Sequence, residues 1–454
     1  MRLFNTLSRS VEDFVPLHAP NVSLYACGLT VYDYTHLGHL RKYTLDDVLV
    51  RTLRHAGFKV EFVQNITDVG HLVSDADTGE DKLEKGAKKY HKSVWDIAKE
   101  FEAYFFKSMD GMGNLRPDVS CRATEHIEAQ IALVQKLEQK GFTYKIEDDG
   151  MYFDTSKLPD YGKLNPQELS QLREGERIGV VVGKKNPTDF ALWKFEKPGE
   201  DRQMSWPSPW SERGFPGWHI ECSAMSMQYL GEQIDIHTGG IDHIPVHHSN
   251  EIAQSEAATG KVPFVRFWVH HNHLQVDGQK MSKSLGNFFT IDDVIERKFN
   301  PRALRLLFLQ GQYRDQMNFT WESLVAVQTA YDRLARQVQS WGSEVAQLSP
   351  QAEKLRQAFF AALADDLKTA QAIATLWEMT KSELPVGEKL QLFREFDAVL
   401  QLGFENIQSV ELSAEIQQLL QERDKARAEK NWQKADELRE KLSDLGHMVA
   451  DIKL

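Results

Sequence analysis

Two short stretches of the chain carry residue types suited to handling phosphate. The first is His36-Leu37-Gly38-His39, between a strand-like run and a helix-like stripe. Backbone N–H groups at a helix N-terminus attract anions, and imidazoles placed there can donate hydrogen bonds as charge develops on phosphate oxygens. Gly38 would let a nucleotide lie close to the backbone. The second stretch is Lys280-Met281-Ser282-Lys283-Ser284, with Gly278 before it and Gly286 after. Ammonium groups on flexible stems can follow a departing pyrophosphate and neutralise it. Taken singly, the first also reads as two surface histidines and the second as a solvated loop. Together, in this order and about 240 residues apart, they are far more specific. His247 and Glu251 stand four apart, so on a helix both face one way.

Hydrophobic spacing indicates the elements that must position these residues. Residues 22–27 form an apolar run that stops at Gly28, and Leu45, Val48, Leu49 and Leu53 recur at helical spacing before Gly57. Lys59–Ile66 reads as a second strand. Strand, helix, strand within so short a span predicts a parallel pair joined by a right-handed crossover. From about 120 to 200 the pattern turns irregular. A helix carrying Ile127, Ile131, Val134 and Leu137 leads into short strands near 142–146 and 151–153. This stretch reads as an insertion between two halves of the sheet, and the α/β pattern resumes from Trp218 to His270. Beyond about 300 the strand signals fade. Leu324, Val327, Tyr331, Leu334 and Val338 make one helical stripe, and Leu355, Phe359 and Leu363 another, as in a helical bundle.

With 454 residues the chain has room for about three domains. Apolar residues at 41% and charged residues at 26% exclude wholesale disorder. A net charge of −12 excludes a simple polybasic binder of nucleic acid or membrane, though not a local basic track. Three widely spaced cysteines, Cys27, Cys121 and Cys222, do not form a secreted disulfide framework. No run approaches eighteen apolar residues and the N-terminus has no apolar signal region, so a cytoplasmic protein without a membrane span is expected.

The two phosphate-type motifs resemble the paired signatures of class I aminoacyl-tRNA synthetases. More closely, the chain resembles the cysteinyl-tRNA synthetases over most of its length. The matching text includes Tyr25-Ala26-Cys27-Gly28-Leu29-Thr30-Val31-Tyr32-Asp33, Asn65-Ile66-Thr67-Asp68 and Gly217-Trp218-His219-Ile220-Glu221-Cys222. It continues with Gly239-Gly240-Ile241-Asp242 and with His247-His248 through Asn250-Glu251-Ile252-Ala253-Gln254. The family usually has Glu after the paired histidines, where Ser249 stands here.

The resemblance implies an α/β fold: a Rossmann-like parallel sheet with a connective insertion, then an all-α C-terminal region. The boundaries it suggests are 1–120 and 206–270 for the halves of the catalytic domain, with the insertion at 121–205. They continue with a stem-contact region at 271–315, a helical bundle at 316–405 and an anticodon-binding region at 406–454. It implies one zinc ion per chain on Cys27, Cys222, His247 and Glu251, a donor set suited to tetrahedral zinc. It also implies ATP with magnesium, held by Gly38, Gly240, Asp242 and Lys283, and activation assisted by His36, His39, Lys280 and Lys283. Trp218 and Thr67 would contact the amino acid, and His219 and His237 are neighbouring candidates. The expected partners are L-cysteine, ATP and tRNA-Cys, with the enzyme a monomer. Zinc would select a thiolate over a serine hydroxyl, where packing around one atom yields only about 10–200-fold, so no editing domain is expected. Basic residues from Arg423 to Lys441, with Trp432, suit a phosphate-tracking helix with one stacking aromatic. Two alternatives share these motifs: a relative that transfers activated cysteine to an amine such as an amino sugar, and a tRNA-binding paralogue with a decayed site.

Overall fold

In the computed structural model the described residues are 1–70, 81–165, 181–197, 199–404, 414–429 and 431–444. Strand β1 (Asn21–Ala26) leads through a turn into helix α1 (Leu37–His55) and then strand β2 (Lys59–Ile66). Strand β3 (Val119–Arg122) follows, then helix α2 (Trp218–Leu230), strand β4 (Ile234–Gly240), helix α3 (Ser249–Thr259) and strand β5 (Val265–His271). The strands form one parallel sheet in the order β5-β4-β1-β2-β3. Leu24 lies between Phe62 and Ile236 in register. Helices cover both faces, which is why β2 and β4 read as nearly unbroken buried runs rather than alternating ones.

Helix α1 starts earlier than its apolar stripe: the first phosphate-type motif is its first turn, with His36 as N-cap. Arg54 and His55 in the last turn complement the helix dipole, and Gly57 takes a positive φ of 91° just beyond.

The stretch after β3 folds as a five-stranded antiparallel sheet packed on the helix Ile127–Gln139. Its strands are Thr143–Ile146, Gly150–Phe153, Phe190–Phe195, Trp206–Ser208 and Ser211–Pro216. The last two reach past residue 205, so the sheet ends immediately before α2. A three-stranded sheet carries the lysine motif: Leu274–Val276 pairs with Gln279–Lys280 across the Asp277-Gly278 turn and, in parallel, with Met317–Phe319. Both turn residues have positive φ, 50° and 75°, as a two-residue hairpin of this hand requires.

Helix α4 (Pro301–Leu309) joins this region to four helices, Trp321–Ser340, Pro350–Ala364, Thr369–Lys381 and α5 (Val386–Leu400). Both predicted stripes are buried. Two further helices, Ala414–Ala428 and Trp432–Asp444, pack through Ala426, Ala435 and Leu438. Within the basic residues read as a phosphate-tracking helix, Arg423 is buried and so is not presented on its exposed face. Lys425, Lys434 and Lys441 are exposed, as is Trp432; Lys430 lies outside the described residues.

One buried guanidinium ties α1 to the helical half. Arg305 pairs with Asp47 of α1, donates to Asn114 Oδ1 at 2.6 Å and donates to the Leu400 carbonyl at the end of α5 at 2.5 Å. Asp47 also accepts from Arg51 and the Leu115 N–H, both at 2.8 Å. Removing one partner of such a pair strands the other charge away from water. Arg305→Ala should therefore cost about 3–5 kcal/mol, seen as a lower midpoint in denaturant or thermal unfolding. An unchanged midpoint would refute this role.

Candidate functional site

The carboxyl ends of β1, β4 and β5 and the N-terminus of α1 open onto one cavity of about 500 Å³. In a parallel sheet this is where loops diverge and ligands bind. It is lined by twelve of the positions named from sequence: Cys27, His36, Gly38, His39, Thr67, Trp218, Cys222, Gly240, Asp242, His247, Lys280 and, one residue on, Met281. Glu251 lies behind this wall. Lys283 is outside it.

The two imidazoles of the first motif are held by the helix they begin. His36 Nδ1 accepts from the His39 N–H at 3.3 Å, and His39 Nδ1 accepts from the His36 N–H at 3.4 Å. The rings stack 3.5 Å apart. Because each Nδ1 is an acceptor, the ring proton sits on Nε2, and each histidine keeps an Nε2–H donor. Burial and the Lys283 charge lower the His36 pKa to about 4, and burial with the His36 and Lys42 charges holds His39 well below its ordinary value. At neutral pH both are therefore uncharged donors. A Cβ at Gly38 would lie 3.0 Å from the His36 ring, so this glycine makes room for the cap as well as for a ligand.

The potential metal ligands come from three elements. Cys27 follows β1, Cys222 lies in the second turn of α2, and His247 is the penultimate residue of a wide π-type turn (Ile244–His248) that runs directly into α3, where Glu251 sits. One donor atom from each falls within 4.8 Å of the others, and all four residues are buried. Bonds of about 2.0–2.3 Å in a tetrahedron put donors about 3.3–3.8 Å apart, so a set of two thiols, an imidazole and a carboxylate already within 4.8 Å is compatible with zinc. Buried Glu251 Oε1 lies 3.0 Å from His247 Nε2 but without hydrogen-bond geometry, as two donor atoms turned toward one cation would. A second combination, Cys27, His237, His248 and Glu251, is equally close. Cys222 and His247 line the cavity, whereas His237 and His248 do not. The first set is thus the one a substrate could reach.

The protons of this cluster are shared unequally. Against burial, a hydrogen bond from Cys222 and the nearby His248, His237 and His243 hold the Cys27 thiol well below its usual range. Cys222, bonded to that thiolate and buried, is pushed well above. Against burial, the Glu251 carboxylate and Cys27 push His247 up to about 10. Behind the ligands, His237 Nε2 lies 3.0 Å from Glu251 Oε2, His219 Nδ1 3.0 Å from His247 Nδ1, and His248 Nε2 3.2 Å from Cys27 Sγ. Such partners orient metal ligands and set their tautomers.

Thr67 and Trp218 flank the cluster. Thr67 Oγ1 accepts from Asn65 Nδ2 at 3.0 Å, while Asn65 Oδ1 accepts from the Gly28 N–H at 2.8 Å. A Cβ at Gly28 would fall 1.5 Å from the Asn65 carbonyl oxygen, so no other residue fits there. The Trp218 ring lies 4.4 Å from that of His247. Gly240 has open space where a side chain would be, and Asp242 meets His273 at 3.2 Å. Lys283 pairs instead with Asp33. Sequence reasoning gave no role to Asp33 and Asn65, although both stand in the family-like text, and passed over Lys42 and His243. Lys42 lies one turn beyond His39, donates to the Cys27 carbonyl at 2.8 Å and pairs with Asp46; its helical spacing from the motif was the available signal.

Residues 13–329 match the family described as the class I (C) tRNA synthetase catalytic domain, and residues 409–453 the cysteinyl-tRNA ligase anticodon binding domain. Cysteine–tRNA ligase 1 of Burkholderia lata is 45% identical, covering 99% of this chain and 95% of that protein. Cysteine–tRNA ligase of Treponema denticola is 41% identical, covering 99% and 98%. In fold the chain is similar to Mycobacterium tuberculosis methionyl-tRNA synthetase in complex with methionyl-adenylate, with a TM-score of 0.57 at 14% identity over 84% of this chain and 90% of that one. The chain belongs to the class I cysteinyl-tRNA ligase family.

Proposed function

We propose that this chain joins L-cysteine to ATP, releasing pyrophosphate, and passes the cysteinyl group from the adenylate to the terminal ribose of tRNA-Cys. The observation that carries this reading is the thiol-rich set Cys27, Cys222, His247 and Glu251, three of whose members share a cavity with His36, His39 and Lys280. The match of residues 409–453 to an anticodon binding domain favours tRNA over a small amine as acceptor.

In activation, a cysteine carboxylate oxygen attacks the α-phosphorus and pyrophosphate leaves. No enzyme nucleophile is needed. The Nε2–H groups of His36 and His39 donate to phosphate oxygens, and Lys280 and Lys283, with magnesium, neutralise the departing charge. Gly240 leaves room for adenosine, and the Asp242 carboxylate accepts from a ribose hydroxyl. Thr67, already an acceptor from Asn65, keeps its O–H to donate to the amino acid, and Trp218 closes over it. Zinc on the four ligands would supply a borderline-soft Lewis acid that takes a thiolate far better than a hydroxyl. With that selectivity the chain needs no separate hydrolytic editing domain.

Cysteine-dependent ATP–pyrophosphate exchange and charging of tRNA-Cys by the purified chain test the reading; absence of cysteine-dependent exchange overturns it. Cys222→Ser should lower zinc content, measured by atomic spectrometry, and cut the preference for cysteine over serine to the ~10–200-fold that packing allows. Full zinc retention would remove Cys222 from the ligand set. Lys283→Ala should slow adenylate formation by about 10²–10³-fold while zinc content stays near that of the unaltered chain. Normal exchange would remove Lys283 from catalysis. In an NMR pH titration the His36 ring should titrate near pH 4, and higher in Lys283→Ala, which lacks the repelling ammonium. A midpoint near 6.5 would contradict the neutral-donor role.

A further inference from the structure

The ammonium of Lys283 is held away from the cavity. It forms an ion pair with Asp33 Oδ2 and lies 4.8 Å from the centroid of the Phe288 ring, which itself meets the His36 ring edge-on at 5.2 Å. Asp33 is built to receive it. Its Oδ1 accepts from the Tyr34 N–H at 2.9 Å and from the Tyr90 hydroxyl at 3.3 Å, and Lys89 stands 3.9 Å from Oδ2. The carboxylate is four-fifths covered, with 19% of its side chain exposed, and sits three residues ahead of the His36 cap.

The segment carrying Lys283 is tied mainly to itself. Asn287 accepts from the Ser282 N–H at 2.7 Å and donates to the Lys280 carbonyl at 3.2 Å, and the Ser282 and Ser284 hydroxyls meet at 2.7 Å. Gly286 turns the chain with φ 67° and open space around it, and Leu285 is exposed. Lys280, at the end of its strand, already lines the cavity. Lys283 can join it only by leaving Asp33.

We infer that Asp33 is a positioning residue that parks Lys283 outside the cavity between turnovers, so that bound triphosphate must outcompete one carboxylate before the second lysine engages. This rests on the ligase reading above. A half-exposed ion pair shifts an equilibrium only a few-fold, which suits a latch that opens each cycle.

Replacing the carboxylate by its neutral isostere frees the ammonium without removing the Tyr34 and Tyr90 contacts to Oδ1. In Asp33→Asn, kcat/KM for ATP in cysteine-dependent exchange should rise about two- to five-fold, and Asp33→Glu should return it toward the original value. Without ATP, trypsin should cut after Lys283 faster in Asp33→Asn than in the unaltered chain, a readout independent of activity. Unchanged or lower kcat/KM in Asp33→Asn, or an unchanged cleavage rate, overturns the inference. If the unaltered chain shows no cysteine-dependent exchange, the ligase reading fails, while the cleavage comparison still judges the latch itself.

Discussion

A carboxylate and a thiolate cannot be taken out of water together without a positive charge among them. At the carboxyl edge of this sheet Glu251, Cys27 and Cys222 are all buried, and the groups facing Glu251 are His237, His247 and His248. In the metal-free state protons meet the requirement: His247 is raised to about 10 and Cys27 lowered, so the cluster balances charge internally. A divalent ion meets the same requirement by replacing those protons, which makes ion binding pH-dependent and the donor geometry costly to alter. The imidazoles behind the ligands serve either state.

That constraint dictates much of the surrounding fold. The candidate ligands come from the end of β1, the second turn of α2, and the turn entering α3 and α3 itself, which sequence separates by about 220 residues. Close backbone approach brings them together. At Gly28 and Gly239, among others, a side chain would collide, with the Asn65 carbonyl at 1.5 Å and the His248 ring at 2.4 Å. The same strand end that supplies Cys27 starts the turn that places His36, so the sulfur cluster and the phosphate donors share one rigid support. Lys42 joins them directly, reaching the Cys27 carbonyl from α1.

What was legible in the sequence follows from locality. The β1-α1-β2 unit, the buried stripe from Leu324 to Val338 and the i,i+4 pair His247 and Glu251 rest on spacings within one element. Met317–Phe319 was not visible as a strand, because its three residues are ordered by parallel pairing to Leu274–Val276, more than forty positions earlier. Arg423 looked like part of a basic face, yet it is buried, since an arginine can cover its long stem while its helix carries few apolar residues. Asp33 stood in plain view, but its partner is 250 residues away. The imidazole contacts of His248 with Cys27 and His270 likewise depend on tertiary placement. The family resemblance supplied the ligand set; spacing alone supplied only its last pair.

The division between rigid and movable parts has a chemical reason. Groups that choose the amino acid must not shift, since cysteine and serine differ by one atom and any slack lets packing accept both. The residues proposed for that task, Cys27, Cys222, His247 and Thr67, sit on or beside strands and helices, and Cys27, His247 and Thr67 each meet a neighbouring side chain. Groups that accompany pyrophosphate face the opposite demand, because charge moves away from the α-phosphorus as the bond breaks. Of the two lysines proposed for that role, Lys280 stands at a strand end, whereas Lys283 is on a short turn with an exposed stem and an ion pair to Asp33. A lysine held permanently against the cavity would favour bound pyrophosphate as much as the transition state, and so would slow its release. Placing the second ammonium where it must be recruited allows charge neutralisation to rise with the reaction and fall again as product leaves.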